Sequence, residues 1–210
     1  TGTIDESVRH AITKLSHIHF VTNNDSYRRV LQMGEHPAYV FDVGSPDIEF
    51  AAQVRRGPNA EFINSVGVGG RIDLAKPYLM VIQHPVTSEP DNLDNVLKTL
   101  QAVGELGVPA LWFWPNPDAG TDEISKGIRR FREHTPMPHV RFIIDFHPRD
   151  FVALLKHAAC LVGNSSAGIK EASFFGTPAV NIGSRQQGRS RSGNVMDVGH
   201  DAEAITYAIK

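Results

Sequence analysis

The sequence predicts an α/β fold with a parallel, doubly wound sheet, and three observations carry that prediction. Short apolar runs at residues 78–83, 110–114, 140–144, 159–162 and 179–182 alternate with segments of helical period. Strands that alternate with helices imply a parallel sheet with right-handed crossovers. Gly and Pro punctuate the boundaries, as at Gly163, Gly176 and Pro178,. Polar side chains follow the runs: His84, Asn116, the turn 145–147, Ser165, Ser166 and Arg185. In such sheets ligands bind beyond the C-terminal strand ends, so these residues are expected to converge.

Taken in order, residues 5–16 carry Val8, Ala11, Ile12 and Leu15 at helical spacing,. Residues 18–22 alternate as a strand, 27–33 read as a helix closed by Gly34, and 39–43 as a second strand. A short helix is expected over 46–54. The Gly67-Val68-Gly69-Gly70 stretch follows no clear strand, so it reads as flexible connection rather than a phosphate loop,. Helices are expected over 92–105 (Leu93, Val96, Leu97, Leu100, Val103), 121–134, 151–157 and 201–209,.

The composition of the 210 residues narrows the function. Hydrophobic content of 41% and charged content of 21% suit an ordinary globular protein,. A net charge of −2 gives no sign of nucleic-acid or anionic-membrane binding,. No apolar run approaches the roughly 20 residues of a membrane-crossing helix. Cys160 is the only cysteine, which rules out an intrachain disulfide and fits a cytoplasmic location,. Ten histidines raise the question of a metal. His17 and His19 share a strand face, but no carboxylate or Cys stands at ligand spacing, so no metal is expected.

The richest stretch is LVGNSSAGIKEASFFGTPAVNIGSRQQGR, residues 161–189. It reads as strand, polar turn, helix, second strand and basic loop. Ser165 or Ser166 would cap the helix, and its first N–H groups would face an anion, most simply a phosphate. Glu171 would suit a vicinal diol, and Arg185 could reach the same anion. The same spacing equally suits an ordinary capped helix with a surface Glu and a solvated loop. Gly163-Asn164-Ser165-Ser166-Ala167 also stands one residue away from a nucleophile elbow, without a well-placed Asp and His to follow,.

GNSSAGIKEASFFGTPAVNIGSRQQGR, together with TGTIDESVRHAITK, HPVT and FWPNPDAG, resembles the hydrolysing UDP-N-acetylglucosamine 2-epimerase family of the bacterial sialic-acid type. The resemblance runs in four correctly ordered blocks over most of the chain. It implies a glycosyltransferase-B-type fold of two Rossmann-like domains, with this chain matching the C-terminal part. The expected division is 1–45 as the end of the first domain, 46–76 as linker and 77–210 as the UDP-binding domain. The implied activity releases N-acetylmannosamine and UDP from UDP-N-acetylglucosamine and water. Alternatives are the same chemistry on a diacetamido-trideoxy sugar, or UDP-sugar binding without turnover.

By the resemblance, Asp5 and Arg9 are catalytic and act with a Glu on a segment upstream of Thr1. The chain alone is therefore expected to be inactive. Read by spacing, the same pair is equally a surface ion pair four residues apart on a helix. His84 is expected to be catalytic too, serving the reaction or the diphosphate, and His84, Asn116, Phe146, Ser165, Ser166, Glu171 and Arg185 are expected to hold UDP. Phe146 would lie alongside the uracil ring. No step requires a redox cofactor or a metal. A homo-oligomer, dimer or tetramer, is expected.

Overall fold

The computed structural model describes residues 4–86, 89, 91–116 and 120–210, leaving the side chains of Ile4 and Asp5 outside that description. The chain divides into two compact units, one ending at Gln53 and the other spanning Val54–Lys210.

In the first unit α1 (Ile4–Leu15) leads to β1 (His19–Val21), α2 (Asn24–Gln32), β2 (Val40–Asp42) and α3 (Pro46–Gln53). The Asn23 side chain caps α2 by accepting the Ser26 N–H,. β1 and β2 pair in parallel. Glu35 joins the elements, accepting from Lys14 at 2.6 Å and facing His19 Nε2 at 3.2 Å. Phe20 and Phe41 stand side by side on the sheet with ring centroids 5.8 Å apart, and both are exposed.

The second unit is built on a seven-stranded sheet. Its elements in chain order are α4 (Ala60–Ser65), β3 (Val68–Gly69), β4 (Leu79–Ile82), α5 (Asn92–Leu106), β5 (Ala110–Phe113), α6 (Thr121–His134) and β6 (Val140–Ile143). There follow α7 (Pro148–His157), β7 (Cys160–Gly163), α8 (Glu171–Phe175), β8 (Ala179–Ile182), β9 (Val195–Val198) and α9 (Ala202–Ile209). The strand order is β3-β6-β5-β4-β7-β8-β9. β3 runs antiparallel to β6, and the other pairings are parallel.

The chain runs outward from β4 to β5 and β6, then returns to lay β7 on the other side of β4. The topological switch therefore lies between β4 and β7. That crevice is where an open α/β sheet binds its ligand.

β4 to β8 are buried at every position because helices cover both faces,. Leu79, Val81, Trp112 and Val162 face α5, α6 and α9 with Leu100, Val103, Ile124, Ile128 and Ile205. Met80, Ile82, Leu111, Phe113 and Leu161 face the other way, with Ile63, Leu154, Leu155 and Ala172 of α4, α7 and α8. The alternation along each strand assigns successive residues to opposite cores. Each fully buried aliphatic side chain contributes about 1.5–3 kcal/mol.

Two segments differ from the sequence expectation. Residues 46–76, expected as linker, are structured: α3 lies in the first unit, while α4 and β3 belong to the second. The glycines of 67–70 make a close approach rather than a flexible hinge. A Cβ on Gly70 would stand 1.8 Å from the Pro138 carbonyl oxygen. Arg141 holds this strip to β6 by donating to the carbonyls of Ile63, Asn64, Val66, Gly69 and Gly70. β9 was not expected at all. It forms the far edge of the sheet, at Val195–Val198, just past what reads in sequence as basic loop.

Candidate functional site

The C-terminal ends of five parallel strands deliver the candidate residues to one edge of the second unit. β4 leads to His84, β5 to Asn116, β6 to Ile144 and Asp145, β7 to Asn164 and Ser165, and β8 to Arg185. A cavity of about 370 Å³ opens among them, within the size range of small-molecule sites. Its apolar floor is Ile82, Phe113 and Phe151, and the two Phe rings meet edge-on at 5.5 Å. Trp114, Pro115 and Ile144 form walls, and His84, Asn116, Asp145 and Ser165 supply the polar rim.

His84 is 7% exposed and fixed at both ends of its geometry. Its backbone N–H donates to Asn164 Oδ1 at 2.7 Å, and its carbonyl accepts from Asn164 Nδ2 at 2.9 Å. Its ring Nδ1 accepts the Asn116 backbone N–H at 3.2 Å. An accepting Nδ1 sets the neutral ring's proton on Nε2, so the imidazole offers a donor there.

At the end of β7, Ser165 Oγ accepts the Ala167 N–H at 3.3 Å and caps a 3₁₀ turn, Ser166–Gly168. This corrects the expectation of one helix running from the serines to Gly176. Lys170 (φ −109, ψ −86) separates the turn from the five-residue α8, which Glu171 opens. Segments this short sum little dipole, so attraction for an anion rests on hydroxyls, local N–H groups and cationic side chains. Ser166 and Glu171 are half-buried beyond the cavity wall. Arg185 Nη1 donates to the Asn164 carbonyl at 3.2 Å, which holds the guanidinium at the end of β7.

Phe146 is a correction. It was expected alongside a ligand ring, but it is 6% exposed and packs against Phe62 and Phe113, with centroids 6.1 and 5.8 Å away. The reason is that alternation stops where β6 ends: Ile143 points into the core and Ile144 out to the cavity, and the turn that follows returns Phe146 to the core on the side of Ile143. Arg9 is exposed on α1 of the first unit. Asp5 lies in the same helix with its side chain outside the described residues.

Sequence reasoning missed the residues that support the site. Asn164 could have been noticed as a polar residue directly after a Gly that ends an apolar strand. Glu89 carried no sequence signal. Its carboxylate accepts from the Ser184 N–H at 3.0 Å and from the Ser184 hydroxyl, and faces His200 Nε2 at 3.0 Å. Burial pushes the Glu89 carboxyl up, and the Ser184 and His200 contacts outweigh that, leaving it below the ordinary carboxylate range,. Glu89 thereby ties the loop after β4 to the loop that carries Arg185. Cys160 is buried, which raises its thiol to about 11 and leaves it unreactive,. Among the described residues there is no cluster of three metal-ligating side chains, and no helix is long and apolar enough to cross a membrane.

Comparison with known proteins places this geometry. The profile of the family described as UDP-N-acetylglucosamine 2-epimerase matches residues 1–210. The chain is 36% identical to a UDP-N,N'-diacetylbacillosamine 2-epimerase (hydrolyzing) of Legionella pneumophila, over 100% of this chain and 54% of that one. It is 33% identical to a UDP-N-acetylglucosamine 2-epimerase of Neisseria meningitidis, again over 100% of this chain and 54% of the relative. The chain thus spans about half the length of the curated relatives it matches. Among solved structures it is similar to the Neisseria meningitidis UDP-GlcNAc 2-epimerase bound to UDP-GlcNAc, with a TM-score of 0.69 and 15% identity, over 93% of this chain and 53% of that one. The fold is the glycosyltransferase-B-type α/β architecture of these epimerases. With the profile matched from end to end, the chain belongs to the UDP-N-acetylglucosamine 2-epimerase family.

Proposed function

We propose that the chain is part of a hydrolysing UDP-N-acetylglucosamine 2-epimerase, and that its second unit holds the UDP moiety. The observation that carries this reading is the cavity at the sheet's switch point, with an apolar floor and a rim of His84, Asn116 and Ser165. A pyrimidine suits the floor of Phe113, Phe151 and Ile82. The Ser165 hydroxyl, the Arg185 guanidinium and the His84 Nε2–H supply donors for a diphosphate. Ser166 and Glu171 complete the nucleotide's contacts beyond the cavity, Glu171 as acceptor for a diol.

The reaction removes the C2 proton of the sugar while the C1–O bond breaks and UDP departs with the bonding electrons. A C1=C2 double bond forms. Water then adds its hydroxyl at C1 and a proton returns to C2 from the opposite face, giving N-acetylmannosamine. Asp5, with Arg9 orienting it or the sugar, serves proton transfer at C2. In the second unit the donors stabilise the negative charge that grows on the leaving diphosphate, while the apolar floor excludes water from the base. The same reading makes the protein a cytoplasmic homo-oligomer, a state that light scattering on the full-length protein checks.

A second reading is favoured by the 36% identity to the Legionella pneumophila enzyme: the same elimination on a UDP sugar bearing two acetamido groups. Incubating the full-length protein with each UDP sugar separates the readings. Free UDP with N-acetylmannosamine is the expected result. Faster release from the diacetamido sugar selects the second reading. An epimerised UDP sugar without free UDP, or binding alone, would sink both.

Arg185→Gln tests the diphosphate contact. Loss of a charge-assisted hydrogen bond costs about 1.5–3 kcal/mol, so calorimetry should find UDP bound roughly 10- to 100-fold more weakly. The melting temperature should hold, because Gln186 Nε2 still donates to the Asn164 carbonyl at 2.8 Å. Unchanged UDP affinity would remove Arg185 from the site.

A further inference from the structure

We propose that Asn164 is the positioning residue that sets both His84 and Arg185 against the ligand, an inference that rests on the roles given to those two residues above. Every polar group of Asn164 is committed: the backbone N–H and the side-chain amide across the switch point, the carbonyl to the loop after β8. Its backbone N–H donates to the Ile82 carbonyl at 3.0 Å, which fastens the end of β7 to β4. Its side-chain amide pairs with both halves of the His84 backbone, Oδ1 receiving the N–H and Nδ2 giving to the carbonyl. Its own carbonyl receives Arg185 Nη1 and Gln186 Nε2. The residue is 1% exposed, so it does not reach the cavity as a ligand contact and is absent from the cavity wall.

The local backbone is shaped for this task. Gly163 has φ +128, and a Cβ there would stand 2.0 Å from the Ile82 carbonyl oxygen. Only glycine lets β7 press against β4 closely enough for the next side chain to straddle the His84 peptide. An amide is the side chain that fits, because a peptide presents one donor and one acceptor and the amide answers both. The consequence runs along two chains of contact. One passes from the amide through the His84 backbone to its ring, whose tautomer the Asn116 N–H sets. The other passes from the Asn164 carbonyl to the Arg185 guanidinium.

The test is a pair of double-mutant cycles in the full-length protein, Asn164→Ala with His84→Ala and Asn164→Ala with Arg185→Ala, reading kcat, KM and UDP affinity on the folded fraction. Asn164→Ala should lower kcat/KM by about 10- to 100-fold. If it acts through His84 and Arg185, each double variant should lose at least about threefold less than the product of its two single losses, because one of the two routes is already gone. Losses that multiply in both cycles would overturn the proposal, since a merely structural asparagine weakens each variant independently. So would wild-type kcat and UDP affinity in Asn164→Ala. Should Asn164→Ala fail to fold, Asn164→Asp, which keeps the acceptor for the His84 N–H, replaces it in both cycles under the same criteria. Wild-type behaviour of both His84→Ala and Arg185→Ala would instead sink the site reading, and this inference with it. Full losses in those singles with multiplicative doubles would sink this inference alone.

Discussion

Arg141→Met should cost the second unit about 3 kcal/mol or more of stability, read as a lowered urea midpoint. Arg141 is 6% exposed, yet its guanidinium donates to five backbone carbonyls over distances of 2.7 to 3.4 Å. These belong to the end of α4 and the strip that becomes β3. Burial works against the charge, and nearby Arg71 adds to the opposition, so the guanidinium loses its proton more readily than an ordinary arginine,. The carbonyl dipoles offset that cost. Methionine fills much of the volume and donates nothing, leaving several carbonyls without their donors. Each orphaned buried group costs about 1–3 kcal/mol, and edge carbonyls recover part of this by hydration. Arg141→Lys, with three donors, should restore part of the loss. A drop below about 1 kcal/mol for the methionine variant would show that the α4–β3 strip is held by something else.

Gly163→Ala should be of similar severity and should also abolish tight UDP binding. The new Cβ would meet the Ile82 carbonyl carbon and oxygen at 2.6 and 2.0 Å, and backbone cannot swing aside as a flexible side chain does. Strain at a positive φ and overpacking each cost about 1–3 kcal/mol. Relief comes only by prising β7 from β4, which carries Asn164 away from His84. Calorimetry well below the melting temperature should therefore find UDP affinity reduced by an order of magnitude or more. A folded alanine variant with wild-type affinity would refute the close contact between these strands as a requirement of the site.

The sheet and the edge that carries the cavity were legible because they rest on local pattern. Continuous apolar runs marked β4 to β8, and turn chemistry marked their C-terminal ends, so His84, Asn116 and Ser165 were found before the cavity was. What was not legible depends on distant partners. β3 is two residues among glycines, and it becomes a strand only because β6 and Arg141 receive it. β9 lies in a polar, basic context and is set by its pairing with β8. Asn164 acts on a peptide 80 residues away, a relation no spacing reveals. Phe146 misled because an aromatic beside a strand end suits both a ligand stack and a core. The turn after β6, which breaks the strand's alternation, decided between them. The helix after Ser166 was overextended because capping residues signal a start and say nothing of an interruption at Lys170.

The pairing of β4 with β7 has a consequence for how the protein comes into being. β4, β5 and β6 are neighbours in both chain and sheet, so they can dock as they leave the ribosome. β7 must close a loop of some 80 residues to reach β4, and such non-local closures come late and slow folding. The crevice proposed to hold the nucleotide lies on that closure, and Arg185 is synthesised later still. During translation the cavity edge therefore matures only after β7 has joined β4 and β8 has joined β7, well after β4 to β6 are in place. On the function proposed above, UDP bound there would act as a clasp, favouring the closed state by mass action in proportion to the logarithm of its concentration over Kd.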